Sequence, residues 1–133
     1  MKNKYNAKRC RDVQGNYLAS RLEADVSNWL IACQQEGKYA DIRRQATVTF
    51  PCGNTWCIDF KVTLPDGTIF YVEAKGMETG GYVKQKRMLK CCPTHPLAPL
   101  FVIKRRGKDG LYVAESHNCG DIEPPVPSRP TYP

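Results

Sequence analysis

Residues 56–75 read WCIDFKVTL-PDG-TIFYVEAK, the segment with the clearest structural pattern in the chain. Apolar and polar residues alternate on both sides of the Pro-Asp-Gly turn, which predicts two antiparallel strands over 56–64 and 68–75. Proline presets the first turn position, and Gly67 supplies the left-handed residue of a three-residue loop. Such a loop places Leu64 opposite Thr68. Counting five residues outward from each places Asp59 directly opposite Glu73.

The two faces of this predicted hairpin differ in chemistry. The apolar face, which we expect to join the core, carries Ile58, Phe60, Val62, Leu64, Phe70, Val72 and Ala74. The other face carries Asp59, Glu73 and Lys75. Opposed carboxylates about 5 Å apart at Cβ repel each other unless a cation lies between them. Oxygen ligands around an open position suit Mg²⁺ or Mn²⁺ better than zinc. The alternative is a solvent-facing strand with scattered charges.

The remaining periodicity predicts the order α-β-β-β-α-β, an α/β fold with a mixed sheet and helices against it. A helix is expected after Asn16, a good N-cap residue, and runs to about Glu36, where Gly37 stops it. The other predicted elements are a strand over 44–50, a helix over 82–91 and strands over 100–104 and 111–115.

One domain accounts for most of the 133 residues. Residues 1–15 are expected to form a flexible basic arm, residues 16–118 the folded domain, and residues 119–133 a proline-rich tail that is disordered or extended. No apolar run is long enough to span a bilayer, so no membrane partner is expected and the predicted location is the cytoplasm.

Basic residues outnumber acidic ones by 20 to 13, a formal charge of +7, which favours a polyanionic partner. Clustering strengthens this prediction, although a solvated surface is the simpler alternative. The candidate DNA contacts are Lys84, Lys86, Arg87, Lys90, Lys104, Arg105 and Arg106.

Seven cysteines, an odd number, argue against a disulfide framework and favour reduced thiols that pack in the core. The gap from Cys52 to Cys57 is wider than the usual zinc knuckle, so structural zinc is not expected.

Asp59, followed 14 positions later by Glu73-Ala74-Lys75-Gly76, resembles the D…ExK signature of the PD-(D/E)xK nuclease superfamily. The hairpin as a whole is similar to that of phage-type endonuclease I, which is a Holliday-junction resolvase, and to that of related small phage nucleases. The segment SRLEADVS (20–27) resembles the family helix that brings a further acidic residue to the site. The resemblance covers roughly residues 20–105.

The resemblance implies a restriction-endonuclease-like αβββαβ core and assigns roles to four side chains and one backbone carbonyl. Asp59 and Glu73 would ligate the metal, with the backbone carbonyl of Ala74 as a candidate third ligand. Lys75 would position or deprotonate the attacking water, and Glu23 would assist metal binding. Two departures are visible: Ile58 stands where the family often has proline, and the spacing from Asp59 to Glu73 exceeds that of endonuclease I, so the substrate preference need not transfer.

The expected function is therefore that of a Mg²⁺-dependent endodeoxyribonuclease, for which Mn²⁺ also supports activity. We expect it to cut branched or junction DNA and to act as a homodimer. The expected location is the cytoplasm, which is that of the host cell if a phage encodes the protein. Gln45 is a further candidate contact with the site. The alternatives are a nicking or sequence-selective phage nuclease of the same fold, a non-catalytic basic nucleic-acid-binding module and, less favoured, a zinc-stabilised interaction protein.

Overall fold

One helix packs against a five-stranded sheet in the computed structural model, which describes residues 10–15, 17–18, 20–49, 55–76, 99–105 and 110–127. The elements are β1 (Cys10–Arg11), β2 (Tyr17–Leu18), α1 (Arg21–Gln35), β3 (Asp41–Thr49), β4 (Thr55–Thr63), β5 (Ile69–Ala74), β6 (Leu100–Arg105) and β7 (Leu111–His117).

The sheet has the strand order β3-β4-β5-β6-β7, and β1 and β2 form a separate two-stranded ribbon. All neighbours in the sheet are antiparallel except β5 and β6, which are parallel. An α/β fold with a mixed sheet is therefore confirmed. The helix predicted over 82–91 lies outside the described residues, so α1 is the one helix of the part that the structure describes.

Helix α1 begins later than the sequence predicted. Ser20, not Asn16, is the N-cap, and its hydroxyl accepts a 3.2 Å hydrogen bond from the backbone N–H of Glu23. The residues just before it form β2 instead. The predicted stop is confirmed, because Gly37 follows the helix with φ 85°. Helix α1 is the one helix within the described ranges, and it is too short and too polar to cross a membrane.

The predicted register of the β4–β5 hairpin is confirmed. Phe60 pairs with Val72 and Val62 with Phe70, which is the register that the three-residue loop requires. The backbone N–H of Leu64 donates to the carbonyl of Thr68 at 2.8 Å and closes the turn. Gly67 has φ 92°, the left-handed conformation that its place in the turn requires.

The prediction that one apolar face runs the length of β4 was wrong. Phe60 and Val62 join a core cluster with α1, whereas Trp56 and Ile58 join a second cluster with Tyr71, Leu100 and Val102. The neighbouring strand changes face at the same level, since Ile42 packs with the first cluster and Ala46 with the second. The change occurs at Gln45 and Asp59, the one step missing from an otherwise regular β3–β4 ladder.

Residues 10–15 are not the flexible arm that was expected; residues 1–9 lie outside the described part. Asp12 is buried, accepts a 2.7 Å hydrogen bond from the hydroxyl of Ser27 on α1 and forms a 3.1 Å ion pair with Arg44 on β3. Arg44 also donates to the Ser27 hydroxyl. A buried carboxylate requires such partners, so these contacts attach the N-terminal ribbon to the helix and the sheet.

The expected tail likewise begins later than residue 119. Cys119 and Val126 are buried, and the backbone N–H of Val113 on β7 donates to the carbonyl of Pro127 at 2.8 Å. The indole N–H of Trp29 on α1 donates to the carbonyl of Pro125. Residues 119–127 therefore belong to the folded domain. The buried, free thiols of Cys33 and Cys119 agree with the packing role predicted for the cysteines.

We expect Asp12→Ala to lower the free energy of unfolding by about 3 kcal/mol, because the substitution leaves the partly buried Arg44 guanidinium without its carboxylate. Asp41→Ala is the control, since Asp41 forms an exposed 3.3 Å ion pair with Arg43 and such pairs contribute little. Chemical denaturation of both variants measures the difference. Equal stability of the two variants would contradict this interpretation.

Candidate active site

Asp59 on β4 and Glu73 on β5 lie together inside the protein, with only 7% and 5% of their surfaces exposed. The sequence predicts that the two acids lie opposite each other, but the β4–β5 ladder ends one step earlier, at the Phe60–Val72 pair, so no ladder pairing joins them. Instead, Asp59 Oδ2 accepts a 2.9 Å hydrogen bond from the backbone N–H of Ala74. The side chains of Asp59 and Glu73 also hydrogen bond to each other.

Two carboxyl groups in contact in a buried place cannot both be ionised at low cost. Burial raises the pKa of Glu73, and the neighbouring charge of Asp59 and the hydrogen bond to it raise it further. Burial also raises the pKa of Asp59, although hydrogen bonds from Glu73 and Ala74 act in the opposite direction. In the absence of a cation the pair therefore holds a shared proton.

Lys75 and Glu23 complete the group that the sequence singled out. The charge of half-buried Lys75 lowers the pKa of both Asp59 and Glu73, and that of Glu23 raises the pKa of Glu73. The backbone N–H of Lys75 donates to the carbonyl of Ile103 at 3.0 Å, which fixes the end of β5 against β6. The structure thus brings all four predicted side chains into one region.

No match was found to any family model, curated protein or solved structure.

The carboxyl pair has the composition of a site for a hard divalent cation. Glu73 Oε2 is buried and accepts no hydrogen bond from the residues that the structure describes, so an oxygen is left for another ligand. Within those residues, no three His, Cys, Asp or Glu side chains form a metal-binding cluster, but the charge of Glu23 acts on Glu73 and raises its pKa. Mg²⁺ usually binds one or two carboxylates and keeps several of its waters. Two acids and a backbone carbonyl are enough to supply the protein ligands of such an ion.

Gln45 lies beside Asp59, as the sequence suggested, and its side chain donates a hydrogen bond to the Asp59 carboxylate. A residue that sequence reasoning missed is Cys57, whose thiol donates to Gln45 Oε1 at 3.2 Å. Cys57 lies two residues before Asp59 in the sequence, and this proximity was the signal that could have indicated its place near the site. The cost of Gln45's backbone conformation, with φ 55°, could not be read from the sequence.

Most of the basic residues predicted to contact DNA lie outside the described residues, namely Lys84, Lys86, Arg87, Lys90 and Arg106. Lys104 and Arg105 lie at the end of β6, where Arg105 forms an ion pair with Asp25 of α1. Asp25 is also 3.7 Å from Arg21. Arg105 is therefore engaged within the protein, with part of its side chain exposed.

A cavity of about 590 Å³ lies elsewhere, between α1 and residues 123–125. Trp29, Tyr39 and Leu64 form part of its lining, and none of the four clustered site residues contributes to it. The carboxyl pair and the cavity are therefore separate features of the structure.

Proposed function

We propose that this chain is a metal-dependent endodeoxyribonuclease of the PD-(D/E)xK type, with a restriction-endonuclease-like core. The observation that carries the proposal is the buried, hydrogen-bonded carboxyl pair Asp59–Glu73 with Lys75 beside it. The helix, the β3–β4–β5 meander and the parallel neighbour β6 are consistent with such a core.

A protein that only binds nucleic acid has no need for this pair. Burial of two carboxyl groups in contact raises the pKa of both and lowers the stability of the folded state at neutral pH, and groups with such perturbed pKa values concentrate at functional sites. A buried carboxyl group with a structural role is instead paired with a basic side chain, as Asp12 is paired with Arg44. The carboxyl pair therefore supports catalysis over the non-catalytic alternative.

Each residue then has a role in phosphodiester hydrolysis. Asp59 and Glu73 would hold the cation in their deprotonated form, with the Ala74 carbonyl as a candidate third ligand. A cation held there would supply the polarisation of the phosphoryl oxygen and the lowered pKa of the attacking water. Lys75 orients the attacking water and offsets the charge that develops on the phosphate. Glu23 adds negative potential that favours a cation at the pair.

The formal charge of +7 supports DNA, a polyanion, as the substrate. Within this class we favour a structure-selective nuclease of the junction-resolving type that acts as a homodimer. Two cuts placed symmetrically about a branch need two active sites, and two-fold dimers are the commonest oligomers. A nicking or sequence-selective nuclease of the same fold uses the same residues on linear DNA.

Cleavage of a four-way junction and of a linear duplex with the same arms tests the proposal. We expect Mg²⁺ or Mn²⁺ to support cutting of the junction in preference to the duplex, and a chelator to abolish it. Asp59→Asn should be inactive. The matched control is Asp66→Asn in the turn of the same hairpin, where the asparagine oxygen can still accept the 2.8 Å hydrogen bond from Thr68.

Cleavage that survives chelation, or that Asp59→Asn retains in full, would reject the proposed site. Equal cutting of both DNAs would favour the nicking or sequence-selective enzyme. Salt-sensitive DNA binding without cutting under any cation would leave the binding module as the function.

A further inference from the structure

Gln45 combines three unusual properties at one position. It is exposed on β3, an edge strand of the sheet, yet its side chain reaches the buried Asp59. Its backbone is left-handed, with φ 55°. It also lies at the step where the β3–β4 ladder is interrupted, between the pairs Arg44–Phe60 and Ala46–Ile58.

We propose that Gln45 is a positioning residue, which holds the Asp59 carboxylate in the orientation that cation binding requires; this inference rests on the proposed nuclease function. The amide is itself held, because its Oε1 accepts a 3.2 Å hydrogen bond from the thiol of Cys57. That contact directs the amide N–H groups toward Asp59.

Asp59 thereby receives hydrogen bonds from two sides. Gln45 donates from β3, and the backbone N–H of Ala74 donates to Oδ2 at 2.9 Å from β5. Neither donor is a charged group, so the carboxylate keeps its affinity for a cation while its rotation is restricted. Groups that orient a metal ligand in this way commonly change metal affinity or activity by about 10- to 100-fold when they are removed.

The backbone argues against a purely structural role for Gln45. Glycine adopts a left-handed φ without steric cost, and asparagine tolerates it better than glutamine does. Among the described residues, the only other non-glycine residue with positive φ is an asparagine, Asn118. Strain of this kind tends to concentrate at functional sites. Glutamine is therefore explained here by its side chain and not by its backbone.

Gln45→Gly separates the two roles, because it removes the side chain and relieves the backbone. We expect cleavage of the junction and Mn²⁺ affinity, the latter measured by calorimetry without DNA, to fall about 10- to 100-fold. The melting temperature should stay the same or rise. Gln45→Asn should lose activity in the same way, because asparagine tolerates the left-handed backbone but its side chain is shorter than that of glutamine. Cys57→Ser should retain more activity than Cys57→Ala, because only serine keeps the donor to Gln45.

Wild-type cleavage and Mn²⁺ affinity in Gln45→Gly would overturn this inference and leave the nuclease proposal intact. A fall in melting temperature that parallels the fall in cleavage would also overturn it, since Gln45 would then be structural. Wild-type protein that neither binds Mn²⁺ nor cuts DNA would overturn the nuclease proposal itself, and this inference with it.

Discussion

Glu73→Gln is expected to reduce Mg²⁺-dependent cleavage on the order of 10³-fold while it makes the cation-free protein more stable at neutral pH. Glutamine has nearly the same shape and can still hydrogen bond to Asp59, but it carries no charge for the cation. Loss of activity with a gain in stability is characteristic of a residue retained for function.

The gain in stability follows from the direction of the pKa shift. Burial and the contact with Asp59 raise the pKa of Glu73 above its ordinary value of 4.5. Between pH 4.5 and the raised pKa of about 10, the folded protein holds a proton on Glu73 that the unfolded chain has released. The stability that this group contributes is therefore lost as the pH rises through this range. Glutamine does not titrate, so this loss should largely disappear.

Thermal unfolding in chelator at pH 5 and pH 8, together with junction cleavage in Mg²⁺, measures both effects. The melting temperature of the wild-type protein should fall more between the two pH values than that of Glu73→Gln. A smaller slope should remain in the variant, because the pKa of Asp59 is also raised. Glu36→Gln is the control, since Glu36 is an exposed partner of Lys38 at 3.5 Å. A variant that cuts DNA at the wild-type rate would contradict the assignment of Glu73.

Lys75→Met is expected to lower the rate of cleavage by roughly 10²- to 10³-fold without abolishing cation binding. Methionine keeps much of the length and apolar character of the lysine side chain, so the half-buried position stays filled. Both carboxylates remain, and Mn²⁺ should still bind. What is lost is the ammonium that orients water and offsets charge on the phosphate.

Single-turnover cleavage and Mn²⁺ calorimetry separate these two properties of Lys75. Lys38→Met removes the same charge at an exposed position and should cut DNA nearly as fast as the wild type. Loss of Mn²⁺ binding together with cleavage in Lys75→Met would mean that the lysine supports the site's structure and not the reaction.

The part of the fold that local rules govern could be predicted from the sequence. Alternation and turn chemistry were sufficient for the β4–β5 register, because a three-residue loop with a left-handed glycine permits few pairings. The convergence of Asp59, Glu73 and Lys75 follows from this register. Gln45 was placed near the site only as a candidate, with no mechanism.

The errors share a physical cause, which is tertiary contact between segments that are distant in sequence. The change of face at Asp59 depends on a distortion in a different strand, at Gln45, so regular alternation along β4 wrongly placed Ile58 in the first core cluster. Residues 10–15 have a polar, turn-like composition, and contacts with distant segments, such as those of Asp12 with Arg44 and Ser27, show that they are folded. The same is true of residues 119–127, which pack through proline carbonyls.

The interrupted ladder at Gln45 also bears on how two copies of the chain could associate. A second strand added beside β3 would have to follow a backbone that is left-handed at Gln45, in the middle of the strand. At the opposite edge of the sheet, the amide of Val113 on β7 is already bound to Pro127. At each of these two points, pairing with a strand of another molecule is less favourable than along a regular, unpaired edge.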